Sequence, residues 1–169
     1  MLNVKYIKGN VIELAKTKAV DAVAHGCNCF HAMGSGIAPQ LNQATKGKLL
    51  EVDKTMPYGD INNLGKLTFI YYEGVGYFNL YTQYVHGGHL KNAKLTYVNW
   101  GAFEDALKAA IHTTIWAERS SMAIPYIGCG LAGGNIADFK KCINNIEEHF
   151  KTSFLEHRTF DLFVVEYDG

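Results

Sequence analysis

The stretch that most constrains this chain is a glycine-bearing segment, residues 24–38, between an apolar run and a run with helical periodicity. The apolar run Val20 to Ala24 predicts a buried strand, and Ile37 to Thr45 predicts a helix with Pro39 in its first turn. Glycine has no Cβ atom, so another group can approach its backbone closely. The N–H groups of such a loop at the start of a helix can converge on an anion. The segment therefore predicts a phosphate-binding loop.

A second loop of the same kind occurs late in the chain, at residues 125–134. It follows a strand-like run, Met122 to Ile124, and precedes a predicted helix, Ile136 to Phe150. Ligands of α/β sheets bind at the carboxyl ends of the strands. Two such loops on one sheet therefore predict two walls of a phosphate cleft. The second loop reads Pro125-Tyr126-Ile127-Gly128-Cys129-Gly130-Leu131-Ala132-Gly133-Gly134.

Strand and helix patterns alternate along most of the chain. Apolar runs and apolar/polar alternation predict strands at 2–8, 21–24, 66–72, 77–84, 122–126 and 160–166. Apolar spacing of three and four residues predicts helices at 11–16, 37–45, 96–119 and 136–150. Asn10 is the predicted N-cap of the first helix. Residues 73–76 predict a hairpin connection, and 46–64 and 85–95 mostly loop. This order predicts an α/β sandwich with a mixed sheet.

Composition excludes several classes of protein. The chain has 16 basic and 16 acidic residues and no basic block, so we expect no nucleic-acid partner. No apolar run approaches the roughly 20 residues of a membrane span, so we expect no membrane partner. Four cysteines and an N-terminus unlike a signal peptide favour a cytoplasmic protein with reduced thiols. We also expect a monomer.

Four features together give the chain its resemblance to a known family. They are Gly9-Asn10, the segment 24–28 followed by 33–38, the loop 125–131, and the strand 78–83. On these residues the chain resembles a macro domain, the ADP-ribose-binding fold, over essentially its whole length. The resemblance implies a single domain over 1–169, built as a three-layer α/β/α sandwich with a mixed central sheet. It implies ADP-ribose or its 1″-phosphate as ligand, and no cofactor.

The resemblance also implies which residues hold the ligand. The family's adenine-binding aspartate corresponds to Asn10, which keeps one acceptor oxygen but loses the charge. Asn28 corresponds to a residue near the distal ribose, although an Asn here can equally serve to form a turn. The implied ligand-binding residues are Gly9, Asn10, Val11, Asn28, Met33, Gly34, Ser35, Gly36, Ile37, Ala38, Tyr126, Gly128, Cys129, Gly130, Leu131 and Ala132.

Within the family, the Ala24-His25 pair and the segment 33–38 resemble a branch of hydrolases. It contains ADP-ribose-1″-phosphate phosphatases and terminal ADP-ribose glycohydrolases. The glycohydrolases use a lysine after the fourth strand and an aspartate in the second loop. This chain has Thr82-Gln83-Tyr84 and Gly130-Leu131-Ala132 there, which argues against that mechanism. The resemblance therefore implies hydrolysis of ADP-ribose-1″-phosphate, with a non-catalytic reader or a deacylase of O-acetyl-ADP-ribose or ADP-ribosylated protein as alternatives.

His25 is the catalytic residue that the sequence predicts, because it stands beside a phosphate loop and can orient or deprotonate water. The alternative is a buried histidine that only supports the strand. His86 and His89 lie in a glycine-bearing loop and are the next candidates. Cys129 could be a nucleophile near a helix N-terminus, or simply a small residue in a tight loop, which we favour.

A row of potential metal ligands precedes the first glycine loop. His25, Cys27, Cys29 and His31 supply the donor atoms that Zn²⁺ prefers. However, paired cysteines in structural zinc sites are usually two to four residues apart, and a second pair comes from elsewhere. Alternate residues of a strand face one side and cannot surround an ion tetrahedrally. We therefore predict no metal.

Overall fold

A six-stranded mixed sheet organises the protein. The computed structural model describes residues 1–86, 97–152 and 158–168. The strand order is β1-β6-β5-β2-β4-β3, and every neighbouring pair is parallel except β3 with β4. The strands are β1 (Leu2–Gly9), β2 (Ala22–Cys27), β3 (Leu67–Tyr72), β4 (Val75–Tyr81), β5 (Ser121–Ile124) and β6 (Phe160–Tyr167). The predicted mixed sheet is confirmed.

Helices cover both faces of this sheet. One apolar cluster joins the sheet to α4 and α5, and a second joins it to α1, α2 and α3. Burial of apolar surface in these two layers is the main stabilising contribution to the fold. The helices are α1 (Val11–Lys16), α2 (Ala38–Ala44), α3 (Lys48–Asp53), α4 (Trp100–Trp116) and α5 (Ile136–Lys151). A short 3-10 helix spans Ile61–Asn63.

The predicted start of α1 is confirmed in atomic detail. The Asn10 side chain accepts hydrogen bonds from the backbone N–H groups of Ile12 and Glu13, as an N-cap residue does. The helix α4 begins at Trp100 rather than at residue 96, because Asn99 caps it through the N–H of Ala102. Both caps fix the direction in which the chain enters a helix.

Two further segments differ from the sequence prediction. β2 continues to Cys27, so His25 and Gly26 lie in the strand and not in the following loop, since Gly26 still pairs with Leu80 of β4. The segment 46–64 contains α3 as well as loop. Gly47, at φ 84°, starts this helix, and the fully buried Leu49 holds it against the core.

The hairpin between β3 and β4 is tighter than the sequence predicts. Its turn is Glu73-Gly74 alone, with φ values of 51° and 86°, and β4 already begins at Val75. Two consecutive positive φ values are typical of the two-residue turns that match strand twist. In the described part of the chain, no helix is long and apolar enough to cross a membrane.

Candidate functional site

The first glycine loop presents a row of backbone donors to solvent. The N–H groups of Gly34, Ser35, Gly36 and Ile37 have no hydrogen-bond partner among the described residues. Gly36 has φ 65°, and a Cβ atom placed on it or on Gly34 would meet nothing within 4 Å. The loop therefore borders open space, and α2 begins directly after it, at Ala38. Unpaired N–H groups before a helix are suited to an anionic ligand.

The turn between β2 and this loop is fixed by Asn28. Its Oδ1 accepts from the N–H groups of Phe30 (2.9 Å) and Ala32 (3.4 Å), and its Nδ2 donates to the carbonyl of Ala32 (2.8 Å). The side chain is only 7% exposed. These bonds commit both ends of the amide to the turn. The geometry therefore favours the turn-forming alternative for Asn28 over ribose binding.

The second glycine loop follows β5 and is tied together internally. Gly134 donates to the carbonyl of Gly128 (2.7 Å), and Gly133 donates to that of Gly130 (3.0 Å). The N–H groups of Gly130 and Leu131 have no partner within the described ranges, and both residues are exposed. Because β2 and β5 are parallel neighbours, both glycine loops leave the same edge of the sheet. Donors from two loops thus line one groove.

A cavity of about 270 Å³ lies at the first-loop end of this groove. It brings together five predicted site residues, namely Gly9, Asn10, Val11, Gly36 and Ile37. Five further residues line it that the sequence analysis missed, namely Ile12, Gln40, Pro125, Val165 and Tyr167. These residues could be found only from the order of the strands in the sheet. β6 is parallel to β1, so its carboxyl end, with an exposed tyrosine, reaches the edge where β1 ends.

Several predicted ligand-binding side chains pack into the protein instead. The Tyr126 ring lies 5.1 Å from that of Phe139, on the α5 side of the sheet. Met33 packs against the second apolar cluster, and Ala38 is buried. Ala132 is buried as well, and its carbonyl accepts from the N–H of Tyr97. These side chains help to shape the loops, and those of Tyr126 and Met33 remain partly exposed.

His25 is enclosed by the sheet and is 1% exposed. Its Nε2–H donates to Asn79 Oδ1 at 2.6 Å, and its Nδ1 lies 4.0 Å from Cys27 Sγ. Asn79 Nδ2 donates to the carbonyl of Leu49, so Asn79 Oδ1 must be the acceptor and Nε2 must carry the proton. Burial lowers the pKa of His25 to about 4. This geometry favours the supporting role for His25 over that of a base that meets water.

A chain of buried hydrogen bonds extends from Asn79 across the sheet. Asn79 Nδ2 donates to Thr68 Oγ1 (3.1 Å), and that hydroxyl pairs with the Tyr81 hydroxyl (2.9 Å). Tyr81 donates to Asp53 Oδ1 (2.7 Å), and Asp53 is 1% exposed. Burial raises the pKa of Asp53, while the bond from Tyr81 opposes that rise. The polar groups below the groove are thus bonded to one another.

The four candidate metal ligands have separate partners. Cys27 lies beside His25, Cys29 Sγ is 3.6 Å from the carbonyl of Gln83, and His31 Nε2 donates to the carbonyl of Met56. Burial raises the pKa of both thiols, that of Cys29 to about 11. Among the described residues, no three His, Cys, Asp or Glu side chains are grouped to hold a metal ion.

The second-loop cysteine is not activated. Burial is the main cause that raises the pKa of Cys129, so the thiolate is disfavoured at neutral pH. Cys129 also packs against the first apolar cluster, which favours a packing role for this side chain. Of the two loop histidines, His86 lies in the described part of the chain, whereas His89 lies outside it.

The two residues that follow β4, Thr82 and Gln83, are neutral. Gln83 Nε2 donates to the carbonyl of Val85 (2.8 Å). Thr82 is fully buried, and its hydroxyl is the one buried side-chain polar atom without a partner in the described residues. A Cβ atom on Gly26 would lie 2.7 Å from that hydroxyl and 2.8 Å from Ile127. Thr82 therefore stands between the two loops, closely packed against β2.

Comparison with known proteins gives one sequence relative. It is an uncharacterised 17.5 kDa protein from the tk-vs intergenic region of Enterobacteria phage T4. The two are 38% identical over 138 residues, which cover 78% of this chain and 82% of the phage protein. No protein-family model matches the chain.

Solved structures of the same architecture cover nearly the whole chain. The macrodomain of Thermus aquaticus DarG has a TM-score of 0.66 and 19% identity, over 98% of this chain and 99% of that one. A Trypanosoma brucei macrodomain, solved in complex with ADP-ribose, has a TM-score of 0.66 and 12% identity, over 96% of this chain and 63% of that one. This chain belongs to the family of the phage T4 protein and has the macrodomain fold. The predicted resemblance to macro domains is thereby confirmed.

Proposed function

We propose that this macrodomain binds ADP-ribose in the groove between its two glycine loops. The supporting observation is the set of unpaired, solvent-facing N–H groups on both loops, at Gly34 to Ile37 and at Gly130 and Leu131. A diphosphate needs several such donors at once, and the described residues that line the cavity include no Lys or Arg, so backbone N–H groups are the donors that we assign to it.

The groove offers a place for each part of the ligand. The adenine ring would occupy the cavity beside Asn10, and the diphosphate would lie on the first loop. The distal ribose would then reach the second loop at Gly130. The ADP-ribose complex of the Trypanosoma brucei macrodomain, which shares this fold, supports the choice of ligand.

Binding is tested by calorimetry and thermal unfolding with ADP-ribose. We expect affinity in the micromolar range and a rise in melting temperature by mass action. AMP should bind more weakly, because it lacks the second phosphate and the distal ribose. An unchanged melting curve together with a flat calorimetric trace at saturating ADP-ribose would refute the proposal.

The reaction that we propose is hydrolysis of ADP-ribose-1″-phosphate to ADP-ribose and inorganic phosphate. The N–H groups of the second loop would hold the terminal phosphate and stabilise charge that develops during the reaction. His25 is buried, so we propose that it supports the end of β2 rather than touching the attacking water. The neutral residues Gln83 and Leu131 argue against the lysine- and aspartate-dependent route.

Three substrates separate this reaction from its alternatives. Release of phosphate from ADP-ribose-1″-phosphate supports the phosphatase. Release of acetate from O-acetyl-ADP-ribose, or of ADP-ribose from modified protein, would instead identify a deacylase. Binding of ADP-ribose with no turnover of any of the three would identify a reader. We further propose a monomer, which sedimentation of the purified chain tests directly.

A further inference from the structure

The cavity beside Asn10 has the size and lining of a pocket for one ring system. Its volume of about 270 Å³ lies just below the range of pockets that enclose a whole drug-sized ligand. Val11, Ile37 and Val165 give it apolar walls, and Tyr167, 67% exposed, stands at its mouth. A flat heterocycle fits such walls through its faces, so polar groups at the edge decide which heterocycle is preferred.

Asn10 is the partly buried side-chain amide of this pocket, and its orientation is fixed. Its Oδ1 accepts from the N–H groups of Ile12 (2.9 Å) and Glu13 (3.3 Å). Those donors require an oxygen, so the amide cannot be flipped, and both acceptor sites of Oδ1 are used. The Nδ2 amine has no partner among the described residues. Asn10 therefore offers the pocket a donor and no free acceptor.

We infer that this pocket selects a base that presents a carbonyl oxygen at Asn10 over one that presents an amine. The inference rests on the proposed function, since it assumes that a nucleoside diphosphate ribose occupies the groove. Hypoxanthine and guanine carry an oxygen at ring position 6, where adenine carries an NH₂ group. The Asn10 amine can donate to that oxygen, whereas an amine facing an amine leaves two donors unpaired.

The other polar side chains of the pocket, Gln40 and Tyr167, do not decide this choice, since the Tyr167 hydroxyl can both donate and accept a hydrogen bond. Gln40 is exposed at the rim, and its amide makes no hydrogen bond within the described residues. It can rotate to offer either its oxygen or its amine to a ligand. Discrimination between carbonyl and amine therefore depends on Asn10, whose rotation the start of α1 prevents.

The test compares ADP-ribose with its deaminated analogue, inosine diphosphate ribose, which has an oxygen in place of the amine at position 6 and a proton on the adjacent ring nitrogen N1. Calorimetry on the wild-type chain should give about tenfold tighter binding of the inosine form. That form gains a hydrogen bond from the Asn10 amine and avoids the contact between two amines. Asn10→Asp keeps the cap, since aspartate is an equally good N-cap, but turns the free donor into an acceptor. This variant should reverse the preference.

The ratio of the two dissociation constants is the quantity to compare, because the added charge in Asn10→Asp weakens both diphosphate ligands alike. Asn10→Ser is the matched control, since it also caps the helix but has no amine. Its ratio measures the effect of the proton at N1 alone, and the wild-type ratio should favour the inosine form more strongly than this one. Melting temperatures near that of the wild type show that the cap is kept.

The possible outcomes are distinct. Equal binding of the two ligands by the wild type, or tighter binding of ADP-ribose, overturns the inference and leaves the proposed function standing. A preference for the inosine form that Asn10→Asp does not reduce also overturns it. If neither ligand binds, the proposed function fails, and the inference fails with it.

Discussion

The two glycine loops leave the same edge of the sheet, but their glycines serve different needs. In the first loop, a Cβ atom on Gly34 or Gly36 would meet nothing within 4 Å. In the second, a Cβ atom on Gly134 would lie 2.6 Å from the carbonyl oxygen of Gly128, and one on Gly128 would lie 2.6 Å from Val98. Gly34 and Gly36 thus border open space, as Gly130 of the second loop also does, whereas Gly128 and Gly134 are required by the packing of the second loop itself.

The largest expected effect comes from Gly134→Ala. The new methyl group would overlap the backbone of Gly128 and the Trp100 ring, neither of which can move without disturbing α4. Overpacking of this kind costs up to about 3 kcal/mol, which lowers the melting temperature by roughly 6–12 °C in a chain of this length. Gly34→Ala, in open space, is the control and should change the melting temperature little. If both substitutions lowered the melting temperature equally, the glycines of the two loops would not differ in their packing.

The next effect is on binding, through Gly36→Glu. Its side chain would enter the space beside the unpaired N–H groups and repel a diphosphate, so affinity for ADP-ribose should fall by about 100-fold or more. The left-handed conformation adds a cost of about 1 kcal/mol in stability.

The matched control for that substitution is Gly47→Glu. Gly47 also has a positive φ and open space around it, but it starts α3, away from the groove. We expect the same small fall in melting temperature in both variants, measured by thermal unfolding, and loss of binding in Gly36→Glu alone. Full affinity in a folded Gly36→Glu protein would place the phosphate site elsewhere.

The third effect concerns His25, which lies in β2 just before the first loop. Like the second loop, His25 is held in place by hydrogen bonding within the protein. Its pKa is lowered to about 4 by burial, so between pH 6.5 and 4 the unfolded chain binds a proton that the folded chain does not. The stabilising effect is present above pH 6.5 and is lost as pH falls, by about 2 kcal/mol at pH 5.

Urea unfolding at pH 7 and pH 5 measures this loss. The His25→Gln variant should be less stable at pH 7 but should lose less stability on acidification than the wild type. His112→Gln is the control, because His112 is only partly buried and its lowered pKa should contribute a smaller change. If His25→Gln abolishes turnover and keeps the wild-type pH dependence of stability, His25 belongs to the chemistry after all.

The smallest effect is expected for Thr82→Val, between the loops. The Thr82 hydroxyl is buried without a partner in the described residues, so its replacement by a methyl group should leave stability unchanged or raise it by up to about 1 kcal/mol. In Thr114→Val, by contrast, a hydroxyl that donates to the carbonyl of Ala110 is removed, and about 1 kcal/mol should be lost. Thermal unfolding of both variants compares them. Destabilisation by Thr82→Val would mean that the hydroxyl has a partner.

The sequence predicted those features that depend on neighbouring residues. Asn10 as a cap, the glycine loops at strand ends and the helix that begins at Ile136 all follow from local spacing. It left the enclosure of His25 as one of two alternatives, because the partner Asn79 is 54 residues away. Val165 and Tyr167 were missed for the same reason, since only the pairing of β6 with β1 brings them to the cavity.

The hydrogen-bond chain that extends from Asn79 affects the register in which β4 pairs with its neighbouring strands. All seven residues of β4 are buried, so this strand lacks the alternation of buried and exposed side chains that fixes the alignment of a half-exposed strand. Asn79 and Tyr81 do not tolerate a shift of this strand, because His25 in β2, Thr68 in β3 and Asp53 in α3 would each lose a partner inside the protein. Polar side chains, rather than apolar ones, thus distinguish the native register of β4 from shifted registers.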